Sequence, residues 1–336
     1  MKNKIILFLL STFFVVFLFN SCSKEIVQEE REIIQYEGFS LIDGMIAFDS
    51  ESTFRTILDE LFENQDNLDI WEKEVEGFTS LRTKYESITD EMAEDILENI
   101  DDYKYVFTLN EEEDGFKSAD RNIASDVIST LVNDEGFLQI GDIVHRFTYS
   151  YYFSTNAQNF DLLNVADIDS NHPKIEKTKI KREFIFEDIS SAQTVAGIRD
   201  YTVGECTQTS GNKRVKGQII REEIFDNDCN IKTKHQKRVF GIWWSNKTAI
   251  AVSFSGNFVK LFTDCVPTPF VAPYFALAGT ADNKSSITRT VPGNHINWGG
   301  CNDGQTSPFH NGQYTSMHIG GGKVCTLACP PGSPCG

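Results

Sequence analysis

Ile250-Ala251-Val252-Ser253-Phe254-Ser255 alternates strictly, with Ile250, Val252 and Phe254 turned one way and Ala251, Ser253 and Ser255 the other. A period of two over such a run is the pattern of a half-buried β-strand. The same period runs through Ile180, Arg182, Phe184 and Phe186 and again from Val215 to Phe225, so residues 179–290 read as an antiparallel, β-sandwich-like domain. Upstream the period changes. Phe54, Ile57, Leu58, Leu61 and Phe62 fall at i, i+3, i+4, i+7 and i+8, with Ser50 or Ser52 placed as cap, the signature of an amphipathic helix. Trp71, Val75, Phe78 and Leu81 predict a second helix, Ile88, Met92, Ile96 and Ile100 a third, and Ile123, Val127 and Leu131 a fourth. Leu138, Ile140, Gly141-Asp142, Ile143 and Phe147 then read as two strands joined by a two-residue turn. The expected fold class is therefore α+β: an acidic helical domain over 41–155 with a closing β-hairpin, a linker over 156–178 containing His172-Pro173, the sheet domain, and a Gly/Pro/Cys-rich tail over 291–336.

The formal net charge of −18 is unevenly spread. Residues 21–120 hold 29 Asp plus Glu against 8 Lys plus Arg, while residues 121–336 hold 20 against 21. Such an acidic half argues against nucleic acid, whose phosphates reward Lys and Arg, and against electrostatic adhesion to anionic lipid. The acids read as solvated outer faces of the helices. Asn110-Glu111-Glu112-Glu113-Asp114-Gly115 superficially has the start of a calcium loop, but its twelfth position is Arg121 where a bidentate Glu is needed. The stretch from Asp167 to His172 lacks the turn Gly.

The chain starts with Lys2 and Lys4, an apolar run from Ile5 to Phe19, and Asn20-Ser21-Cys22. A membrane-spanning helix needs about 20 apolar residues, and this run is shorter and ends abruptly. It reads as a bacterial lipoprotein signal over 1–21, with Cys22 as the lipid-attachment residue and 22–40 as a polar tether. Each buried methylene of an acyl chain such as palmitate contributes roughly 0.8 kcal/mol, and more than one chain makes anchoring stable. The expected partner is thus the lipid bilayer, reached through acylated Cys22. The expected place is the cell envelope at the outer membrane, on its periplasmic or surface face.

Ser21-Cys22-Ser23-Lys24-Glu25, Trp71, Phe78-Thr79-Ser80-Leu81-Arg82 and Ile140-Gly141-Asp142 resemble the uncharacterised surface-type lipoproteins of Bacteroidota. Arg214-Val215-Lys216-Gly217, Lys232-Thr233-Lys234 and Gly241-Ile242-Trp243-Trp244 are similar to the second half of those proteins. The resemblance spans most of the chain. It implies a cell-envelope address and supplies no catalytic residues.

Reactive side chains concentrate in the tail: His295, Cys301, His310, His318, Cys325, Cys329 and Cys335. Outside the cytoplasm thiols tend to be oxidised, so the leading expectation is disulfides among Cys206, Cys229, Cys265, Cys301, Cys325, Cys329 and Cys335. These are seven, so one is left over. Cys206 with Cys229 and Cys329 with Cys335 are two pairings among several, since connectivity does not follow from spacing. A zinc site would use the same side chains, yet Cys325 and Cys329 have three residues between them and no Cys-x-x-Cys or His-Glu-x-x-His occurs. A cysteine nucleophile would place Cys301, after Gly299-Gly300, with His318 as base. Trp243-Trp244 invites a sugar-stacking platform, although neighbours on a strand point to opposite faces and one must be core. His145 and His235 read as surface histidines. No residue is assigned a catalytic, cofactor or metal role. The function expected is a membrane-anchored envelope lipoprotein with a non-enzymatic binding or structural role, its partner an envelope protein or a glycan. The alternative is an extracytoplasmic hydrolase using the tail Cys/His cluster.

Overall fold

The computed structural model of the protein describes residues 33–165, 167–184, 205–225, 227–256, 259–260, 270–271, 275–291, 309–310 and 314–329. The chain runs β1 (Ile33–Tyr36), β2 (Phe39–Ile42), β3 (Met45–Phe48), helices Glu51–Glu63, Leu68–Glu74, Leu81–Ser87 and Ala93–Glu98, β4 (Phe107–Glu111), β5 (Lys117–Arg121), helix Asp126–Leu131, β6 (Phe137–Ile140), β7 (Ile143–Phe147), β8 (Tyr151–Asn156) and β9 (Glu176–Lys179). It continues as β10 (Lys181–Phe184), β11 (Glu205–Ser210), β12 (Lys213–Glu223), β13 (Asn227–Val239), β14 (Ile242–Ser245), β15 (Thr248–Gly256), β16 (Val259–Lys260), β17 (Phe270–Val271), β18 (Phe275–Lys284), β19 (Ser286–Val291), β20 (Phe309–His310), β21 (Tyr314–Gly320) and β22 (Lys323–Cys329). A seven-stranded sheet has the order β1-β2-β3-β6-β7-β8-β9, an eight-stranded one β10-β12-β13-β14-β5-β4 with β11 and β19 attached to β12 and β13, a four-stranded one β18-β15-β21-β22 and a small one β17-β16-β20.

Strand outweighs helix, 49% to 24%, which overturns the expected α+β class with its N-terminal acidic helical domain. Three features of the first 150 residues explain the difference. Residues 33–48, taken partly as tether, form a meander whose second turn is Asp43-Gly44 at φ 50° and 75°, the left-handed pair that closes a tight two-residue hairpin. The segment Trp71 to Leu81 does not continue as one helix. It turns at Gly77, φ +83°, and restarts where the Ser80 hydroxyl accepts the Thr83 amide at 2.9 Å, a side-chain cap. The four-residue rhythm of Ile88 to Ile100 is broken into 3-10 turns and the six-residue helix Ala93–Glu98. There Asp90 is held by Lys237 and by the Asn246 amide at 3.0 Å, so tertiary bonds override local period. Glu51–Glu63 is the one long helix of the region. It is capped by Ser50, which accepts from Thr53 N, and Phe54, Leu58, Leu61 and Phe62 are buried along one side.

Phe137–Ile140 and Ile143–Phe147 pair antiparallel around Gly141-Asp142, but they sit in mid-sheet: β6 runs parallel to β3 and β7 pairs with β8. Glu176–Lys179, at the far side of the expected linker, adds the next strand as β9. The faces of β12 and β13 bearing Val215, Ile219, Cys229 and Ile231 pack on Ile250, Val252, Phe254 and Leu327 of the four-stranded sheet. The opposite faces of β12 and β13 bury charge, and the segment 121–126 is fastened to them. The Glu222 carboxylate, 1% exposed, accepts the amides of Ala124 at 2.9 Å and Ser125 at 3.1 Å and the Arg182 guanidinium at 3.0 Å. Asp126 pairs with Arg121 at 2.5 Å and accepts the Thr288 amide at 2.8 Å. Removing the charge of one partner from such a buried arrangement destabilises by about 3–5 kcal/mol. Glu222→Gln is therefore expected to lower unfolding free energy by that order in urea titrations at neutral pH, while Glu51→Gln, in an exposed i,i+4 pair with Arg55, shifts it by about 0.5 kcal/mol or less.

Candidate functional site

Sulfur and imidazole meet between β11, β12, β13, β21 and β22. Cys206 and Cys325 form a disulfide across a separation of 119 residues. Cys229 is buried and free, so the suggested Cys206–Cys229 bridge is replaced by Cys206–Cys325. Burial on the apolar face of β13, with Asp228 adjacent, pushes the Cys229 thiol up, away from the reactive thiolate. Cys22, Cys265, Cys301, Cys335 and His295 lie outside the described residues, and of Cys329 and His310 the backbone alone is described.

His318 is fully buried. One ring nitrogen lies 2.8 Å from the Thr233 hydroxyl and the other 2.9 Å from that of Ser316. Its ring lies flat on Gly217, where any β-carbon would overlap it; that contact explains a glycine in mid-strand. Burial lowers its pKa to about 4. His235, expected at the surface, is 1% exposed with Nδ1 at 2.8 Å from the Asn246 carbonyl. Among the described residues, no group of three or more His, Cys, Asp or Glu is arranged to hold a metal.

Trp243 and Trp244 are both buried, at 1% and 0%. Trp244 packs edge-on against Phe107. Trp243 lies beneath the guanidiniums of Arg214, at 4.4 Å, and Arg238, at 5.2 Å. Neither presents a sugar platform.

The charged interior is likewise closed on itself. Glu112 accepts from Lys216 at 2.6 Å and Arg214 at 3.2 Å, Lys234 pairs with Asp120, and Lys216 also reaches Glu205 at 2.5 Å. Burial opposes the charge of Asp120, but Lys234 and Lys216 outweigh it and hold the carboxyl below its usual range. Burial and the nearby Arg121 and Lys234 lower the Lys232 ammonium to about 7, but its residue is 3% exposed and has no route to a substrate. A cavity of about 70 Å³ beside Arg82, Asp69 and Arg289 is bounded by these same kinds of pair: Arg82 with Asp69 and Glu72, both at 2.7 Å, and Arg289 with Asp66.

One face differs. A cavity of about 410 Å³ lies over β7, β8 and β9. Register places His145 opposite Ser154 and Ser154 opposite Glu176, and Tyr152 opposite Thr178. Alternation then puts His145, Tyr152, Ser154, Asn156, Glu176 and Thr178 on one side of the sheet. Ser154 is 7% exposed, Tyr152 and Thr178 are half-buried and Glu176 is exposed, so these groups face the cavity and solvent rather than partners among the described residues. The His145 ring sits between Tyr152, at 5.8 Å, and Phe225, at 5.9 Å. Its Nδ1 is buried without a hydrogen bond, and burial lowers its pKa to about 4. The reverse side of these strands is packed: Phe153 and Val144 join Phe137 and Leu163, and Arg146 stacks on Tyr105 at 3.6 Å. None of these residues but His145 was singled out in sequence. The signal available was the alternation Tyr152, Ser154, Asn156 inside a segment otherwise read as boundary.

No family model matches this sequence, and no curated protein matches it. Among solved structures it is similar to a crystal structure of a DUF4848 family protein from Bacteroides thetaiotaomicron, at 14% identity over 89% of this chain and 100% of that one, with a TM-score of 0.25. A superposition that loose carries no argument about fold or function.

Two outcomes follow from the imidazoles and the disulfide. The native state keeps His318 and His145 neutral down to about pH 4, whereas an unfolded histidine takes up its proton near 6.5. Their share of stability is thus complete above pH 6.5 and is lost as pH falls toward 4, by up to about 3 kcal/mol each. Urea midpoints measured across that window are expected to fall less steeply for His318→Gln than for the unaltered chain. Replacing Cys206 and Cys325 together by Ala is expected to remove roughly 4–5 kcal/mol in the chain-entropy model, read as a lowered Tm. Cys229 should stay unreactive toward thiol reagents until the protein unfolds.

Proposed function

We propose that the protein is a membrane-anchored envelope lipoprotein, held at the outer membrane through acylated Cys22, with a non-enzymatic binding role exercised at the β7–β9 face. The observation that carries this reading is the contrast in hydrogen bonding. Of the tail groups a hydrolase would recruit, the two whose side chains are described are consumed, Cys325 by Cys206 and His318 by Thr233 and Ser316. The polar groups over β7–β9 are presented on a packed sheet with capacity unspent. Buried polar groups are normally paired, and the buried His145 Nδ1 is not; a concave face with a few convergent polar groups is the usual form of a ligand site. The acidic first half supports attachment through lipid rather than through charge, since an anionic bilayer repels it.

Non-reducing peptide mass spectrometry of the protein extracted from its membrane tests this. Acyl chains on Cys22, the Cys206–Cys325 pair and a protected Cys229 are expected, and Cys22→Ala should move the protein from the membrane to the soluble fraction. A Cys301 that reacts readily with thiol probes in the folded protein would turn the argument toward the hydrolase.

A further inference from the structure

We propose that the cavity over β7, β8 and β9 binds a carbohydrate ring; this rests on the reading of that face as a ligand site and names its ligand class. Its volume, about 410 Å³, falls within the range of small-ligand pockets. Its chemistry is selective. Three hydroxyls, from Tyr152, Ser154 and Thr178, each donate and accept. The Asn156 carbonyl oxygen already accepts the Gln158 amide at 3.0 Å, which leaves its NH₂ as a donor. Glu176 is a strong acceptor, with no ion pair, at the edge of the row that it forms with Ser154 and His145. The charged side chains lining the cavity are Glu176 and Lys174, one of each sign, and the Lys174 ammonium rests 3.0 Å from the Asn159 side-chain oxygen. Such a lining has no basic cluster for a phosphate, and its apolar members Ile143, Pro173 and Ile175 are interleaved with the polar ones.

Strand geometry spaces these groups on a grid, about 7 Å along each strand and about 5 Å between strands. Groups that both donate and accept, spread over one plane, match a ligand whose hydroxyls radiate from a rigid ring. The uncharged His145 ring and the Tyr152 ring, which meet at 64°, offer apolar surface for the C–H faces of that ring. A rigid ligand on a rigid sheet also loses little conformational freedom on binding.

Saturation-transfer NMR and titration calorimetry on the full chain, kept in a detergent without a sugar headgroup, test this with glucose, galactose, mannose and N-acetylglucosamine and with cellobiose, lactose and chitobiose. At least one of these sugars should receive saturation. Its affinity should fall about tenfold or more in Glu176→Gln, which removes a charged acceptor while keeping its shape, and also fall in Thr178→Val. Lys177→Ala, on the opposite face of β9 and stacked on Tyr151 at 4.1 Å, should leave it unchanged. Equal affinity for a sugar and its dimer points to a free monosaccharide, and a gain with the dimer points to the end of a glycan. No saturation of any of the seven sugars, or binding undiminished by Glu176→Gln and Thr178→Val, overturns the proposal. Neither result touches acylation of Cys22, whereas cleavage of a dimer in the sample would end the non-enzymatic reading and leave the site standing.

Discussion

The Glu222 carboxylate ties β12 to the segment around Ala124 and to β10. It sits on β12 inside the protein, and a carboxylate there is tolerable only if its lone pairs are taken up. Ala124 and Ser125 supply two amides and Arg182 a guanidinium. The consequence runs outward from that point. With residues 124 and 125 fixed, Ser125 caps the short helix that follows by accepting Ile128 N, and Asp126 is aimed at Thr288 N on β19. Thr290, two residues along the same strand, donates to Asn230 of β13 at 2.7 Å. Arg182 in turn donates to the carbonyls of Asn122 and Tyr149, so the start of β10 is located by the same knot. Strands distant in sequence are registered by charge satisfaction rather than by turn length.

The same kind of charge satisfaction recurs along the acid-rich stretch. Most of its described carboxylates are exposed, as the sequence suggests, but several reach across to cations of the second half. Asp66, Asp69, Asp90, Glu112, Asp120 and Asp126 each face a cation or an amide, and for the first five that partner comes from residues 214–289. Residues 214–289 thus supply the cations for five acids of the first half. Asp69 illustrates the balance of effects. Burial alone would raise its pKa, yet Arg82 and Lys284 hold it low. Stability gained this way is modest per pair, but the penalty for mispairing is large, so the arrangement discriminates strongly against wrong registers.

Seen from sequence, the strands of the second half were legible because alternation is a local property: β15 follows Ile250, Val252 and Phe254 residue for residue. What alternation does not tell is whether the polar side of a strand meets water or another layer. Arg214, Lys216, Gln218, Lys232, Lys234 and Gln236 lie on the polar side of their strands and are all buried; Arg214, Lys216, Lys234 and Gln236 meet Glu112, Asp120 and Ser118 from the region of β4 and β5, far away in the chain. His235 was misplaced for the same reason. The helices were overread where apolar residues repeat at four-residue steps, since Asp90 and Ser80 impose breaks that period does not register. The Asp43-Gly44 hairpin is legible, as a left-handed-tolerant pair between apolar runs, although it falls at the start of the expected helical domain.

The candidate site was illegible for a different reason. Both sides of β8 mix aromatic and hydroxyl residues, Tyr151, Phe153 and Thr155 on one and Tyr152, Ser154 and Asn156 on the other, so composition does not separate the packed side from the open one. Packing separates them: Arg146, stacked on Tyr105 and Phe137 and donating to the carbonyls of Leu163 and Val165, closes one side with the chain that follows β8. The cost of ordering the site is thereby met in folding, by the cluster of Phe137, Val144, Phe153 and Leu163 beneath it, and not at the moment of binding. In the charged interior every strong acceptor that is tightly held is matched by a donor from the protein itself. Over β7–β9 the same fold leaves polar groups, His145 Nδ1 among them, open toward a cavity, and polarity held ready in this way is a physical requirement for recognising something from outside.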